Sequence, residues 1–70
     1  DLEPNSSRYL YNLATYYYQN KNYKEAETNI KKALQLEENN QDFQYLLALV
    51  YQEQGNTTAA QLIMQQLNTN

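Results

Sequence analysis

The chain has 70 residues, a net charge of −3 and neither Cys nor His. A domain of this size obtains only about 3–5 kcal/mol of stability from its core, and without Cys or His it lacks disulfides, thiolate metal sites and the usual acid–base catalyst. Five basic residues against eight acidic ones leave no positive surface for a nucleic-acid backbone. We therefore expect no autonomous enzyme, no cofactor or metal, and no nucleic-acid partner.

A membrane-spanning segment is not expected either. The longest apolar run, Leu46–Tyr51, is far shorter than the roughly 20 residues that cross a bilayer. We therefore expect a soluble protein that does not insert into a membrane. No residue pattern specifies its compartment, which can be the cytoplasm or the periplasm.

Two helices are predicted in the first half of the chain, near residues 7–20 and 23–37. Asn22 precedes the second helix and Glu25 stands three residues later, a variant of the capping box that starts helices. In both segments the apolar residues have the spacing of one helix face. These positions are Leu10, Leu13, Ala14 and Tyr17 in the first helix, and Ala26, Ile30, Ala33 and Leu34 in the second.

Two further helices are predicted near residues 41–54 and 57–68. Asn40 can cap the third helix, Gly55 can end it in the left-handed conformation, and Asn56 can cap the fourth. The third helix is apolar on nearly all sides, so it needs cover from both the second and the fourth helix.

The chain repeats itself once, with a period of about 34 residues. Each period contains a pair of predicted helices and the same short pattern, which is Leu13-Ala14 followed by Tyr17 in the first and Leu47-Ala48 followed by Tyr51 in the second. This pattern resembles the tetratricopeptide repeat. The superposed pairs are Leu13 with Leu47, Ala14 with Ala48, Tyr17 with Tyr51, Asn22 with Asn56, Ala26 with Ala60, and Ile30 with Met64. The resemblance implies an all-α fold of four helices, in which antiparallel helix–turn–helix pairs stack as a short right-handed α-solenoid.

The same resemblance divides the chain into a first repeat at 7–40 and a second at 41–70. Residues 1–6 resemble the end of a preceding repeat, because Leu2 aligns with Leu36 and Pro4 stands where the family has a helix-ending Pro. We therefore expect the chain to be part of a longer repeat protein.

Protein or peptide binding is the function that the resemblance implies, because the first helix of each pair lines a concave groove in this family. On the helical wheel Tyr11, Thr15 and Tyr18 lie away from the core stripe and are expected on the surface. Tyr side chains suit such a contact, although they can equally pack against one another. The positions that match the concave surface are Arg8, Tyr11, Thr15, Tyr18, Tyr45, Leu49 and Gln52.

Self-association is the alternative function. Phe43, Leu46 and Val50 should pack on the second helix, whereas their equivalents one repeat period earlier, Tyr9, Asn12 and Tyr16, have no partner within the chain. Tyr9 and Tyr16 at one end, and Leu62, Ile63 and Leu67 at the other, are the predicted edges of an oligomer. A third possibility is a non-catalytic appendage of a larger enzyme or redox protein.

The charged residues of the second helix are expected to lie in solvent. Glu27 stands four residues before Lys31, the favoured order for an ion pair on a helix, and Lys24 is placed on the same exposed side. Glu37 and Glu38 near the end of that helix oppose its dipole, which is mildly unfavourable.

Overall fold

The computed structural model describes residues 6–68, which form four helices and, within that range, no strand. Each observed helix boundary lies within one residue of the predicted one, because the capping residues and turn residues that punctuate the chain are local signals. The helices are α1 Ser7–Gln19, α2 Tyr23–Leu36, α3 Gln41–Glu53 and α4 Thr57–Asn68. Apart from Ser6, the predicted end of a preceding repeat lies outside the described residues.

Three of the four helices begin with a side-chain cap. Ser6, Asn40 and Asn56 each accept a hydrogen bond from the backbone N–H three residues later, at 3.0, 3.1 and 3.4 Å respectively. Asn22 stands at the N-cap of α2 but makes no side-chain cap hydrogen bond, so the capping box predicted there is wrong. The start of α2 is supported instead by the turn that precedes it.

That turn closes α1 in the same way as the turn that closes α3. Lys21 and Gly55 both have positive φ, and the N–H groups of Asn22 and Asn56 donate to carbonyls five residues earlier, each at 2.8 Å. This is the Schellman pattern of helix termination. Because only three residues join the helices of each pair, α1 must run antiparallel to α2, and α3 antiparallel to α4.

The core lies where consecutive helices pack on one another, so that the four helices form a short solenoid. Ala14, Ala26 and Ala48 are fully buried, and their small side chains allow the helices to approach closely. The predicted face of α3, formed by Phe43, Leu46 and Val50, is buried, and α3 packs on α2. The apolar residues of the core cluster are Leu10, Ala14, Ala26, Ile30, Ala33, Phe43, Leu46 and Val50.

A polar network joins α2 to α3 at the rim of this core. The Lys31 Nζ lies 2.7 Å from a Glu27 carboxylate oxygen, which confirms the predicted ion pair, and 5.7 Å from the centre of the Tyr51 ring. The Gln54 amide donates to the other Glu27 oxygen at 3.0 Å. The hydrogen bond from Lys31 lowers the pKa of Glu27. Glu27 and Lys31 therefore link two helices rather than only facing solvent.

Candidate functional site on the first and third helices

The predicted binding residues lie on α1 and α3, which run side by side, and we call this surface the α1–α3 face. Its most exposed aromatic residue is Tyr45, whose side chain is 50% exposed, and Arg8 is also exposed. Leu49 is half-buried. The seven residues of the α1–α3 face are Arg8, Tyr11, Thr15, Tyr18, Tyr45, Leu49 and Gln52.

Tyr11 is half-buried, although the sequence placed it on the surface. Its ring stacks on the buried ring of Phe43, with the ring centroids 5.0 Å apart and the planes inclined by 23°. The Thr15 hydroxyl donates to the Tyr11 carbonyl at 3.0 Å. Tyr11 therefore covers the core with one side of its ring, while part of its side chain remains accessible.

Tyr18 packs against another tyrosine at the opposite end of α1. Its ring meets that of Tyr23 edge to face, with the centroids 5.8 Å apart. The Tyr23 hydroxyl donates to Glu53 at 3.4 Å, and partial burial together with the Glu53 charge raises the pKa of Tyr23. Tyr18 therefore packs against another tyrosine, which is the alternative to partner binding that the sequence left open. Its ring is less free than that of Tyr45 to contact a partner.

A cleft of about 140 Å³ opens where α1 and α3 begin. Arg8 and Tyr11 of the α1–α3 face line it, together with Asp42 from the start of α3. Its floor is the stacked pair formed by Tyr11 and Phe43. The remaining lining residues are Ser7, Glu37 and Asn40.

Glu37 links the residues on the two sides of this cleft, a role that its position in the sequence does not indicate. Its carboxylate accepts hydrogen bonds from the Ser7 hydroxyl and, at 3.1 Å, from the Asn40 amide. The bond from Ser7, then the bond from Asn40, lowers the pKa of Glu37, and Arg8 adds a smaller contribution. Because Ser7 lies 30 residues away in sequence, no local pattern could have indicated this contact.

The cleft suits one side chain rather than a cofactor. Its volume is close to the roughly 150 Å³ of a protein cavity that holds benzene, and well below the roughly 300–1,000 Å³ of small-molecule sites. Arg8 and the Tyr11 hydroxyl can donate hydrogen bonds, and Asp42 can accept them. This combination can hold an apolar group on the aromatic floor and bind the polar peptide groups beside it.

A second groove lies between α3 and α4, and we call it the α4 groove. This open groove has a volume of about 110 Å³. Gln52 belongs both to this groove and to the α1–α3 face, so the two surfaces meet at the end of α3. The residues of the α4 groove are Gln52, Thr57, Ala60, Gln61 and Met64.

The predicted oligomer edges differ in exposure. Tyr16 is 59% exposed and Leu62 is 58% exposed, whereas Tyr9, Ile63 and Leu67 are half-buried. The Tyr16 ring also contacts Tyr17 edge to face, with centroids 5.5 Å apart. Tyr16 and Leu62 are therefore the edge residues with the most surface to offer.

Residues 6–68 contain no group of side chains arranged to hold a metal ion. In the same part of the chain, no helix combines the length and the apolar character that crossing a membrane requires.

Comparison with known proteins identifies the family. The family model that describes the tetratricopeptide repeat matches residues 17–69, which are about three quarters of the chain. No curated protein and no solved structure matches the chain. Proteins of this family are generally protein–protein interaction modules. With its internal repeat and two antiparallel helix pairs, the chain belongs to the tetratricopeptide repeat family.

Proposed function

We propose that the chain binds a peptide or a segment of a protein partner through the α1–α3 face. The observation that carries the proposal is the cleft between α1 and α3, because it is lined by Arg8 and Tyr11, two residues predicted to bind. A residue with an apolar side chain would enter the cleft and lie on the ring of Tyr11. The function requires packing and hydrogen bonding, and no chemical step.

Tyr45 supplies the second contact of the proposed site. Half of its side chain is exposed, and it stands one helical turn before Leu49. A tyrosine that already lies in a helix loses little conformational freedom on binding and offers both a ring and a hydroxyl. A partner segment would therefore extend from the cleft at the start of α3 along this helix.

The proposal is tested with a display library of random peptides selected on the 70-residue chain. Affinities of the enriched peptides are then measured for the unchanged chain and for the Arg8→Ala and Tyr45→Ala variants. We expect each variant to bind about thirtyfold more weakly, since truncating a central contact residue costs about 2 kcal/mol.

The control is Leu62→Ala, which removes an apolar side chain of similar exposure from α4. It should leave peptide affinity unchanged. The proposal fails if no peptide is enriched, or if the enriched peptides bind both face variants as tightly as the unchanged chain.

A further inference from the structure

The charges on α1 and α3 are mainly negative. Arg8 is the single basic residue of α1 and α3 has none, whereas Asp42 and Glu53 are exposed near the two ends of α3. The lysines lie instead on α2 and in the turn before it, and they are Lys21, Lys24, Lys31 and Lys32. The helices that form the proposed binding surface therefore carry carboxylates but no lysine.

Asp42 and Glu53 belong to one stripe along α3. About three helical turns separate them, so they lie on nearly the same side of the helix, with Tyr45 and Leu49 between them. We call these four residues the α3 stripe. Three of them are exposed and Leu49 is half-buried. Because α3 already contacts α1, α2 and α4, the α3 stripe is a surface that all three neighbouring helices leave accessible.

Asp42 is available to a partner at the cleft. Within residues 6–68 its carboxylate makes no hydrogen bond or ion pair with another side chain. Arg8 lines the same cleft, but its charge already acts on Glu37, whose pKa it helps to lower. The cleft therefore has one carboxylate more than it has basic groups.

Glu53 supplies a second carboxylate at the far end of the α3 stripe. It accepts a hydrogen bond from the Tyr23 hydroxyl at 3.4 Å, and the Tyr23 ring contacts Tyr18 of the α1–α3 face. Glu53 therefore lies beside the proposed binding surface. Since a carboxylate has about four acceptor sites, Glu53 can still accept from a donor on a partner.

We propose that the segment bound by the α1–α3 face is basic, with one Lys or Arg that pairs with Asp42 and a second that pairs with Glu53. This inference rests on the proposed function and specifies its partner. The apolar side chain still enters the cleft and lies on Tyr11. The aliphatic stems of the basic side chains would cover Tyr45 and Leu49, while their charged ends reach the carboxylates.

The length of the α3 stripe sets the spacing between the two basic residues. At a rise of about 1.5 Å per residue, Asp42 and Glu53 are about 16 Å apart along the helix axis. An extended segment covers this distance in about five residues, since each residue spans about 3.3 Å. A pair of basic residues about five positions apart would therefore meet both carboxylates, and an adjacent pair would meet only one.

The peptides selected from the random display library provide the first test. The enriched peptides should contain basic residues about five positions apart more often than the unselected library does. Their affinity should also fall when the NaCl concentration is raised from about 0.05 M to about 0.5 M, because salt screens charges that lie near solvent.

A double-mutant cycle then locates each contact. We expect Asp42→Asn to weaken peptide binding about two- to fivefold, the range of an exposed ion pair. Replacing one basic residue of the peptide with Gln should weaken binding to the unchanged chain by a similar factor, but scarcely affect binding to Asp42→Asn. Glu53→Gln should show the same coupling with the other basic residue.

Glu25→Gln is the matched control for Asp42→Asn. Glu25 is exposed in the first turn of α2, as Asp42 is in the first turn of α3, so each substitution removes one charge from the same position in a helix. Peptide affinity should be unchanged by Glu25→Gln. Circular dichroism of every variant establishes that the helices are retained.

The outcomes separate this inference from the proposed function. Peptides that Tyr45→Ala weakens, but that show no excess of basic residues or bind Asp42→Asn and Glu53→Gln as tightly as the unchanged chain, would overturn the inference and leave peptide binding intact. An equal loss with Glu25→Gln would also overturn it, because net charge rather than the α3 stripe would then attract the peptide. If no peptide is enriched, both proposals fail.

Discussion

Lys21 and Gly55 occupy the same position in the two helix pairs, and both adopt positive φ, 64° and 85° respectively. Each residue donates its N–H to a carbonyl three residues earlier, at 3.0 Å for Lys21 and 3.1 Å for Gly55. The two turns therefore have one geometry, but only one of them has the residue that this geometry favours. A non-glycine residue in the left-handed region costs about 1–2 kcal/mol.

Lys21→Gly should stabilise the protein. Removing the side chain relieves the left-handed conformation, and part of that gain is lost to the greater freedom of glycine in the unfolded chain, which leaves about 0.5–1 kcal/mol. For a domain of this size the melting temperature should rise by roughly 2–8 °C. Lys21→Ala is the control, because it removes the charge but keeps the Cβ, and an equal rise in that variant would contradict the explanation.

Capping should differ between α2 and α3. The Asn40 side chain caps α3 and also donates to Glu37, whereas the Asn22 side chain makes no cap hydrogen bond. We expect Asn40→Ala to lower the free energy of unfolding by about 1 kcal/mol or more, and Asn22→Ala to have a distinctly smaller effect. Urea titrations of the two variants measure this difference in the free energy of unfolding. Equal losses would show that the cap hydrogen bond of Asn40 does not account for its contribution to stability.

Acid should destabilise the fold through Glu27 and Glu37. The pKa of each is lowered in the folded state, by the hydrogen bond from Lys31 and from Ser7 respectively. The unfolded chain therefore binds protons more readily, so the stabilisation is complete above the ordinary Glu pKa of about 4.3 and is lost as the pH falls through the lower folded pKa.

The measurement is the urea midpoint between pH 7 and pH 3 for the unchanged chain, Glu27→Gln and Lys31→Gln. Either substitution should make the acid-induced loss smaller, and the double variant should add little to the single ones, because both remove one interaction. An undiminished loss in both single variants would contradict a role for this pair.

Tyr11 should contribute to stability through its ring. The ring stacks on Phe43 and links α1 to α3, so Tyr11→Ala should lower the free energy of unfolding by about 2–4 kcal/mol, whereas Tyr11→Phe keeps the stack and should cost much less. Thermal unfolding of both variants tests this. A loss as large for Tyr11→Phe would indicate that the hydroxyl rather than the ring carries the effect.

The proposed binding site was only partly predictable. Arg8 and Tyr11 were expected at a binding surface, and both line the cleft. Glu37 was expected merely to oppose the helix dipole, but it bonds to Ser7 of α1 and Asn40 of the following turn. Nothing near Glu37 in the sequence indicates Ser7, because the start of α1 meets the end of α2 only when these two helices pack antiparallel.

The sequence by itself determined the number of helices, their limits and the internal repeat. Caps, turns and helix faces involve residues no more than a few positions apart, so these signals survive in the linear order; Asn40, Gly55 and the stripe containing Ala26 are examples. The tertiary structure alone decided that Tyr11 stacks on Phe43 and that Glu27 reaches Gln54. Such contacts join residues that are far apart in the chain, and they depend on how the helices cross rather than on the order of residues within either helix.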